Sequence, residues 1–174
     1  MSILNLSGSG EGGSYIRYMP STNAWMADGA EVDIKEMVFD LDSLRTGWGK
    51  MAEGMAPDWQ WDERLGVRGN RPSPEHKRGF SIKVYSKATG LREWSTTGTG
   101  PVMGFEAVID SIWGAKDANA EKVPVVAFKG SKPVKVGKGS TRVPEFELKK
   151  WIVAPAEMGA AAPAASAEDD DTVF

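Results

Sequence analysis

The clearest strand pattern in the chain is Phe80-Ser81-Ile82-Lys83-Val84-Tyr85-Ser86-Lys87, in which apolar and polar residues alternate. Successive side chains of a β-strand point to opposite faces of its sheet, so this pattern predicts a strand with one buried face. The buried face carries Phe80, Ile82 and Val84, and the outward face carries Ser81, Lys83, Tyr85 and Lys87. Thr89-Gly90 supplies a turn, and residues 91–97 return as the second strand of a hairpin.

Further strands and one helix are predicted around this hairpin. Strands are expected over residues 15–19, 32–41, 45–51, 123–128 and 146–153, with a bulge near Glu36 where the apolar face changes. Apolar side chains at helical spacing over residues 102–117 predict a helix that places Trp113 in the core. The segment 55–70 is expected to be a loop, and the glycine- and lysine-rich segment 129–140 a flexible one.

The order of these elements gives the expected fold class. Strands, one helix and two further strands follow each other as in an OB-fold, a five-stranded Greek-key β-barrel with its helix between the third and fourth strands. We therefore expect a mainly β protein, a barrel with one helix, an extra N-terminal strand and long loops. Residues 15–154 would form this domain, between a flexible N-terminus at 1–14 and a disordered linker and acidic tip at 155–174.

The composition excludes several classes of site. The 174 residues include no cysteine and one histidine, His76, so disulfides, thiolate metal sites and multi-histidine metal sites are excluded. No apolar run approaches the roughly 20 residues of a membrane-spanning helix. We therefore expect no metal, no cofactor and no membrane partner. One enzymatic alternative stays open, a metal-dependent nuclease built from the acidic residues Asp33, Glu36, Asp40 and Asp42.

Charge is segregated along the chain. The net charge is −3, yet residues 64–92 hold 8 basic residues and 1 acidic residue, and residues 122–150 hold 8 basic and 2 acidic residues. Five acidic residues and no basic ones lie in residues 155–174. Two basic blocks within one domain point to an anionic partner.

Aromatic residues are interleaved with the first basic block, a combination that suits single-stranded nucleic acid. Such a ligand needs cations along its backbone and flat rings for its bases, and each stacked base is worth about 1–3 kcal/mol. In and around this block, binding is predicted for Trp48, Trp59, Trp61, Arg64, Arg68, Arg71, Lys77, Arg78, Lys83, Tyr85, Lys87, Arg92 and Trp94. In the second block, phosphate contacts are predicted for Lys129, Lys132, Lys135, Lys138 and Arg142. The residues therefore predict a nucleic-acid-binding domain without a catalytic site.

The last seven residues, 168–174, combine an acidic run with an apolar end, after a segment rich in Ala, Pro and Gly. This linker and tip resemble the C-terminal end of bacterial and phage single-stranded DNA-binding proteins, where an acidic run closes on Phe. Asp169, Asp170, Asp171 and Phe174 match that pattern directly, whereas Val173 stands where the bacterial tip usually has proline. Residues 144–151 also look like a segment of the phage-encoded members.

The resemblance implies a sequence-nonspecific single-stranded DNA-binding protein in the cytoplasm of a bacterial or phage-infected cell. Its barrel would coat and protect exposed strands. Its tip would recruit enzymes of DNA replication, recombination and repair through Asp169, Asp170, Asp171, Val173 and Phe174. Homo-oligomers occur among such proteins, and the sequence leaves the oligomeric state open. An RNA-binding or strand-annealing module with the same surface stays open as an alternative, and so does a structural protein whose acidic tail only keeps it soluble.

Overall fold

The computed structural model describes residues 15–50 and 57–155, so the predicted flexible N-terminus and the acidic tip lie outside the described residues. The strands are β1 (Tyr15–Met19), β2 (Ala24–Ala27), β3 (Ala30–Val32), β4 (Glu36–Lys50), β5 (Asp58–Trp61), β6 (Lys77–Ser86), β7 (Gly90–Thr96), β8 (Val123–Val136) and β9 (Gly139–Ile152). One α-helix, α1 (Thr99–Ala115), lies between β7 and β8. A mainly β protein with one helix is therefore confirmed for the described part of the chain.

The nine described strands belong to one curled sheet. Their order is β3-β2-β1-β7-β6-β4-β8-β9. The remaining strand, β5, pairs with residues 47–50 at the end of β4. Only the pair β1 and β7 is parallel among these strands. The sequence pattern does not predict β2, β3 and β5, because strands of three or four residues are too short to show a clear alternation.

The predicted core face of β6 is confirmed. Phe80, Ile82 and Val84 are at most 3% exposed and belong to the main hydrophobic cluster. Aromatic rings fill much of this cluster: Trp94 lies edge-on to Phe80 at 4.9 Å and to Trp25 at 5.0 Å between ring centroids. The helix α1 contributes Phe105, Val108 and Ile112 to the same cluster. The core therefore lies between α1 and one face of the sheet.

The opposite face of β6 differs from the prediction. Tyr85 is only 6% exposed, because it forms a second hydrophobic cluster with Val38 and Val125 on the neighbouring strands. Ala154, just after β9, packs against this cluster. Ser81 is also buried, and its hydroxyl donates to Glu93 Oε2 at 2.6 Å. Of the four residues expected to face solvent, Lys83 and Lys87 do so.

The two strands predicted over residues 32–41 and 45–51 are largely one continuous strand, β4. Its pairing with β6 changes register between Asp40 and Arg45, a few residues after the bulge expected near Glu36. Ser43 fills the irregularity, because its hydroxyl donates to Asp40 O at 2.7 Å and accepts from the Lys83 backbone N–H at 2.8 Å. A side chain thus replaces the hydrogen bond that the shift of register removes.

The expectation of a flexible loop at residues 129–140 is wrong. β8 and β9 form a long hairpin that pairs as far as Val136 and Gly139. Gly137 takes a φ of 58° in the tight turn, a left-handed conformation that favours glycine. The glycines and lysines that predict a loop are instead turn residues and solvent-facing strand residues.

The helix is displaced from its predicted bounds of 102–117 and packs on β9. A Cβ atom at Gly100 would lie 2.2 Å from the Arg142 carbonyl oxygen, and one at Gly104 would lie 2.3 Å from that of Pro144. These two glycines therefore allow close contact between the helix and β9. Trp113 is not in the core as predicted; it is 42% exposed, with the Lys116 ammonium 5.3 Å from its ring centroid.

A membrane-spanning helix is not found among the residues that the structure describes, since none of their helices is both long and apolar enough.

Candidate nucleic-acid interface

The most regular aromatic feature outside the core is the pair Trp59 and Trp61 on β5. Their rings are nearly parallel, with 6° between the planes and 4.3 Å between the centroids. The guanidinium carbon of Arg45 lies 3.9 Å from the ring centroid of Trp61. In the pairing of β4 with β5, Gly47 faces Trp61 and Gly49 faces Trp59. Arg45 lies two residues before Gly47, so its guanidinium covers the face of Trp61 that is turned away from Trp59. We call Arg45, Trp61 and Trp59 the tryptophan column.

Three glycines form the floor beneath this column. A Cβ atom at Gly47 would lie 2.5 Å from the Gln60 carbonyl oxygen. A Cβ atom at Gly49 or at Gly79 would lie 2.9 Å from the Trp59 ring. Since these distances are too short for real contacts, only glycine lets the rings lie this close to the backbones of β4 and β6. Both tryptophans are half-buried, so part of the column remains open to solvent.

A second aromatic centre is formed by Trp48, on the face of β4 opposite to Gly47 and Gly49. The guanidinium carbons of Arg68, Arg71 and Arg78 lie 5.0, 5.4 and 5.1 Å from its ring centroid. The indole N–H donates to the Gly69 carbonyl oxygen at 2.8 Å. Trp48 is only 7% exposed, so its role here is to hold arginines at the surface, and the predicted stacking of a base on its ring is not supported.

Asp62 fixes one of these arginines. Its carboxylate accepts two hydrogen bonds from Arg78, at 2.7 and 3.0 Å, one from Thr46 at 2.6 Å and one from the Gly69 N–H at 3.0 Å. The hydrogen bonds from Arg78 are the main reason why the pKa of Asp62 lies well below its usual value. The pair therefore stays ionised at neutral pH and orders Arg78 beside Trp48.

The segment after β5 is held by further polar contacts. His76 is only 4% exposed, and its ring nitrogens lie 2.8 Å from Ser73 Oγ and 3.1 Å from Asp58 Oδ2. Arg71 donates to the carbonyl oxygens of His76 and Pro74, each at 2.8 Å. The predicted loop thus contains a strand, β5, and a segment tied to it by side chains.

Two further aromatic residues predicted to bind bases are buried. Trp94 is fully buried in the main core, and Tyr85 is covered by its cluster with Val38 and Val125. Neither offers a ring face to a ligand unless the surrounding core opens. Arg92 is bonded to Asp28 through two hydrogen bonds of 2.9 Å, which raise the pKa of Arg92 and lower that of Asp28.

The remaining predicted cations lie at the surface. The exposed ones are Arg64, Arg68, Arg71, Lys77, Lys83, Lys87, Lys129, Lys132, Lys135 and Lys138, while Arg78 and Arg142 are half-buried. On the β8–β9 hairpin, Lys129 pairs with Glu147 at 3.5 Å and Lys132 with Glu145 at 3.6 Å. Lys135 and Lys138 form no ion pair with the described residues. The tip residues Asp169, Asp170, Asp171, Val173 and Phe174 lie outside the described part of the chain.

Sequence reasoning missed Arg45 and the glycine floor. A signal is present, because Arg45, Gly47 and Gly49 alternate along one strand and so share one face. What the sequence does not show is that Trp59 and Trp61 lie on the strand that pairs with them.

The acidic residues of the nuclease alternative do not form a metal site. Asp33 lies 3.9 Å from Lys35, and burial raises the pKa of the Asp40 carboxyl. Within residues 15–50 and 57–155, no group of three or more carboxylate or histidine side chains is placed to hold a metal ion.

Comparison with protein-family models, curated proteins and solved structures finds no match for this chain. Its function is therefore inferred from the geometry of its own residues.

Proposed function

We propose that this chain binds single-stranded DNA without sequence preference and has no catalytic activity. The observation that carries this proposal is the tryptophan column on its glycine floor. The main core contains neither Trp59 nor Trp61, and both keep part of their rings in solvent. Aromatic rings that stack at a surface suit nucleobases of any sequence, because every base has a π-face.

The contact between Arg45 and Trp61 suggests how a base enters the column. A base that stacks on the outer face of Trp61 takes the place of the guanidinium. Glu93 already lies 4.0 Å from the Arg45 guanidinium and can keep this ion pair when the guanidinium leaves the ring. The displaced guanidinium can also stack on the base or contact a phosphate, as arginine does in single-strand binding sites.

Cations lie on both faces of the sheet near the column and suit the phosphate backbone. Lys83 is exposed and lies four residues after Gly79 on β6, so both residues are on the same face of the sheet. On the opposite face, Trp48 and Asp62 order a group of arginines. Release of counterions from a bound strand would make binding weaken with salt.

The connectivity supports an OB-fold as the finer description of the domain. β4, β6 and β7 precede the helix, β8 and β9 follow it, and the path β7-β6-β4-β8-β9 joins them in one sheet. The N-terminal strands and β5 would then be additions to the five-stranded barrel. OB-folds commonly bind single strands.

The acidic tip is proposed to recruit replication, recombination or repair proteins in the cytoplasm. The basis is its sequence, four acidic residues followed by Thr172, Val173 and Phe174. Acidic motifs of this kind are recognised by basic residues, and the apolar end by a pocket. Assembly into a homo-oligomer belongs to the same proposal and would place several such tips on one strand.

Binding is tested by fluorescence anisotropy of dye-labelled oligo-dT, a readout that does not depend on the number of tryptophans. The wild-type chain should bind oligo-dT and prefer it to duplex DNA. Trp61→Leu should weaken binding by about 5- to 160-fold, the equivalent of about 1–3 kcal/mol for one stacked base. The matched control, Trp113→Leu, removes an exposed tryptophan on α1 and should leave the affinity unchanged.

Two results would count against the proposal. Equal affinity for single-stranded and duplex DNA would indicate that bases do not stack on the protein. An unchanged affinity of Trp61→Leu would show that binding does not depend on the tryptophan column. Tighter binding of oligo-rU than of oligo-dT would favour the RNA-binding alternative. Cleavage of labelled strands in the presence of Mg²⁺ would contradict the absence of catalysis.

A further inference from the structure

A cleft of about 580 Å³ opens where β6 ends, and four lysines from four segments of the chain line it. Lys35 lies before β4, Lys87 in the turn after β6, Lys129 on β8 and Lys149 on β9. Like charges repel, so the fold gains nothing by bringing these side chains together. A convergence of cations around a cleft concentrates positive potential and attracts an anion.

Two acidic residues, Asp33 and Glu36, also line the cleft, so its four lysines leave an excess of two positive charges. Asp33 lies 3.9 Å from Lys35, but both side chains are more than 80% exposed, so the pair is weak. Glu147 lies 3.5 Å from Lys129. Lys87 and Lys149 form no ion pair with any residue that the structure describes. These two lysines are therefore available to an anionic ligand.

The backbone around the cleft is fixed by hydrogen bonds. The Phe128 N–H donates to the Lys35 carbonyl oxygen at 2.8 Å and ties the segment before β4 to β8. The Ser86 hydroxyl, which is buried, lies 2.9 Å from Thr89 Oγ1 and closes the turn that carries Lys87. The lysines thus extend from ordered segments rather than from free ends of the chain.

The cleft is aligned with the tryptophan column along β6. Gly79 lies beneath the column, and Lys87 follows eight residues later in the sequence. At about 3.3 Å per residue the two positions are at most about 26 Å apart. Lys83 is exposed halfway between them and points to the same face. One nucleic-acid strand of several nucleotides is long enough to reach from the column to the cleft.

We propose that the cleft lined by Lys35, Lys87, Lys129 and Lys149 binds backbone phosphates of the same single strand whose bases stack on the tryptophan column. This inference rests on the proposed function and adds to it a direction along β6 and two residues, Lys35 and Lys149, that the sequence did not indicate. The cleft contributes charge, and the column contributes stacking.

The test compares the salt dependence of binding in the full-length chain and in the double variant Lys87→Ala/Lys149→Ala. For single strands the slope of log K against log salt is about −0.7 for each phosphate contact, so the variant should lose about 1.4 from the magnitude of the slope. The slope should decrease in this way for an oligo-dT of about 16 nucleotides and should stay the same for one of about 4 nucleotides. These lengths are the two ends of the range of site sizes of OB-folds. Lys116→Ala/Lys122→Ala removes the same charge outside the cleft and should leave both slopes unchanged.

The outcomes separate the cleft from the column. An unchanged slope in a variant that melts like the wild type and still binds the long oligomer would overturn the proposal for the cleft and leave the proposed function intact. Inorganic tripolyphosphate could also compete with DNA in the wild type but not in the variant, while the salt slope for DNA is the same in both. That result would show a site for free phosphates and would also overturn the proposal for the cleft. If the wild type binds no oligo-dT, both proposals fail together.

Discussion

Replacing Gly79 by alanine tests whether the tryptophan column depends on its glycine floor. The new Cβ atom would lie 2.2 Å from the Thr96 carbonyl oxygen, 2.8 Å from Thr97 Cγ2 and 2.9 Å from Trp59 Cη2. A carbon–oxygen contact in proteins is ordinarily about 3.3 Å or longer. The overlap with Thr96 is therefore about 1 Å and involves backbone, which cannot rotate away as a flexible side chain can.

The size of the effect follows from this overlap. Overpacking of a closely packed site costs about 1–3 kcal/mol. For a domain of about 150 residues each kcal/mol lowers the melting temperature by about 2–4 °C, so a decrease of about 2–12 °C is expected. Because the methyl group also contacts Trp59, the column is displaced. Affinity for oligo-dT should then fall by as much as the loss of one stacked base, about 5- to 160-fold.

The experiment combines thermal unfolding followed by circular dichroism with the anisotropy titration. Gly114→Ala is the matched control, because Gly114 is exposed in α1 and a Cβ atom there meets nothing within 4 Å. An alanine at that position should stabilise the helix by about 0.5–1 kcal/mol and leave DNA affinity unchanged. If Gly79→Ala melted and bound like the wild type, the floor would not be required and the reasoning would be refuted.

Three further outcomes are expected. Asp62→Asn should destabilise the fold by about 1.5–3 kcal/mol at pH 7 in urea unfolding. Since the folded-state pKa of Asp62 lies below the unfolded value, its contribution is full above about pH 5 and is lost as pH falls toward the folded pKa, so variant and wild type should converge in acid. Trp94→Phe should lower the free energy of unfolding by about 1–3 kcal/mol, because it opens a cavity in the core, while the affinity of the folded protein for oligo-dT stays the same; a selective loss of affinity would contradict its assignment to the core. Deletion of residues 168–174 should strengthen DNA binding and abolish capture of replication proteins, and a loss of DNA binding would show that the tip belongs to the site.

The parts of the fold that the sequence predicts are those in which one face is apolar without interruption. Phe80, Ile82 and Val84 have this pattern, and so do the helix residues Phe105, Val108 and Ile112. The sequence does not show that the β8–β9 hairpin extends through residues 129–140, because most side chains there face solvent and glycines interrupt the pattern. A pattern of burial cannot identify a strand that is held mainly by backbone hydrogen bonds to its partner.

The candidate interface is harder to predict than the fold, because the stacking of Trp59 and Trp61 depends on contacts between strands. Trp59, Trp61 and Trp94 look alike in the sequence, yet Trp94 is fully buried and the other two are half-buried. Helical spacing places Trp113 in the core, but the helix buries its other face against β9 and the sheet. Arg45 was overlooked because its importance comes from the pairing of β4 with β5.

The position of Ala154 determines which parts of the surface the acidic tip can reach, and the charge of the tip determines whether it strengthens or weakens DNA binding. Ala154 packs against the cluster of Val38, Tyr85 and Val125, which lies on the face of β6 between the tryptophan column and the lysine cleft. The next 19 residues in the sequence, 156–174, include four consecutive acidic residues, and a fully extended chain of that length, at about 3.3–3.6 Å per residue, is long enough to reach either part of the surface. A tethered anion competes with DNA at a high effective concentration. Removing the tip should therefore strengthen binding most at low salt, where attraction between the tip and the lysines is least screened.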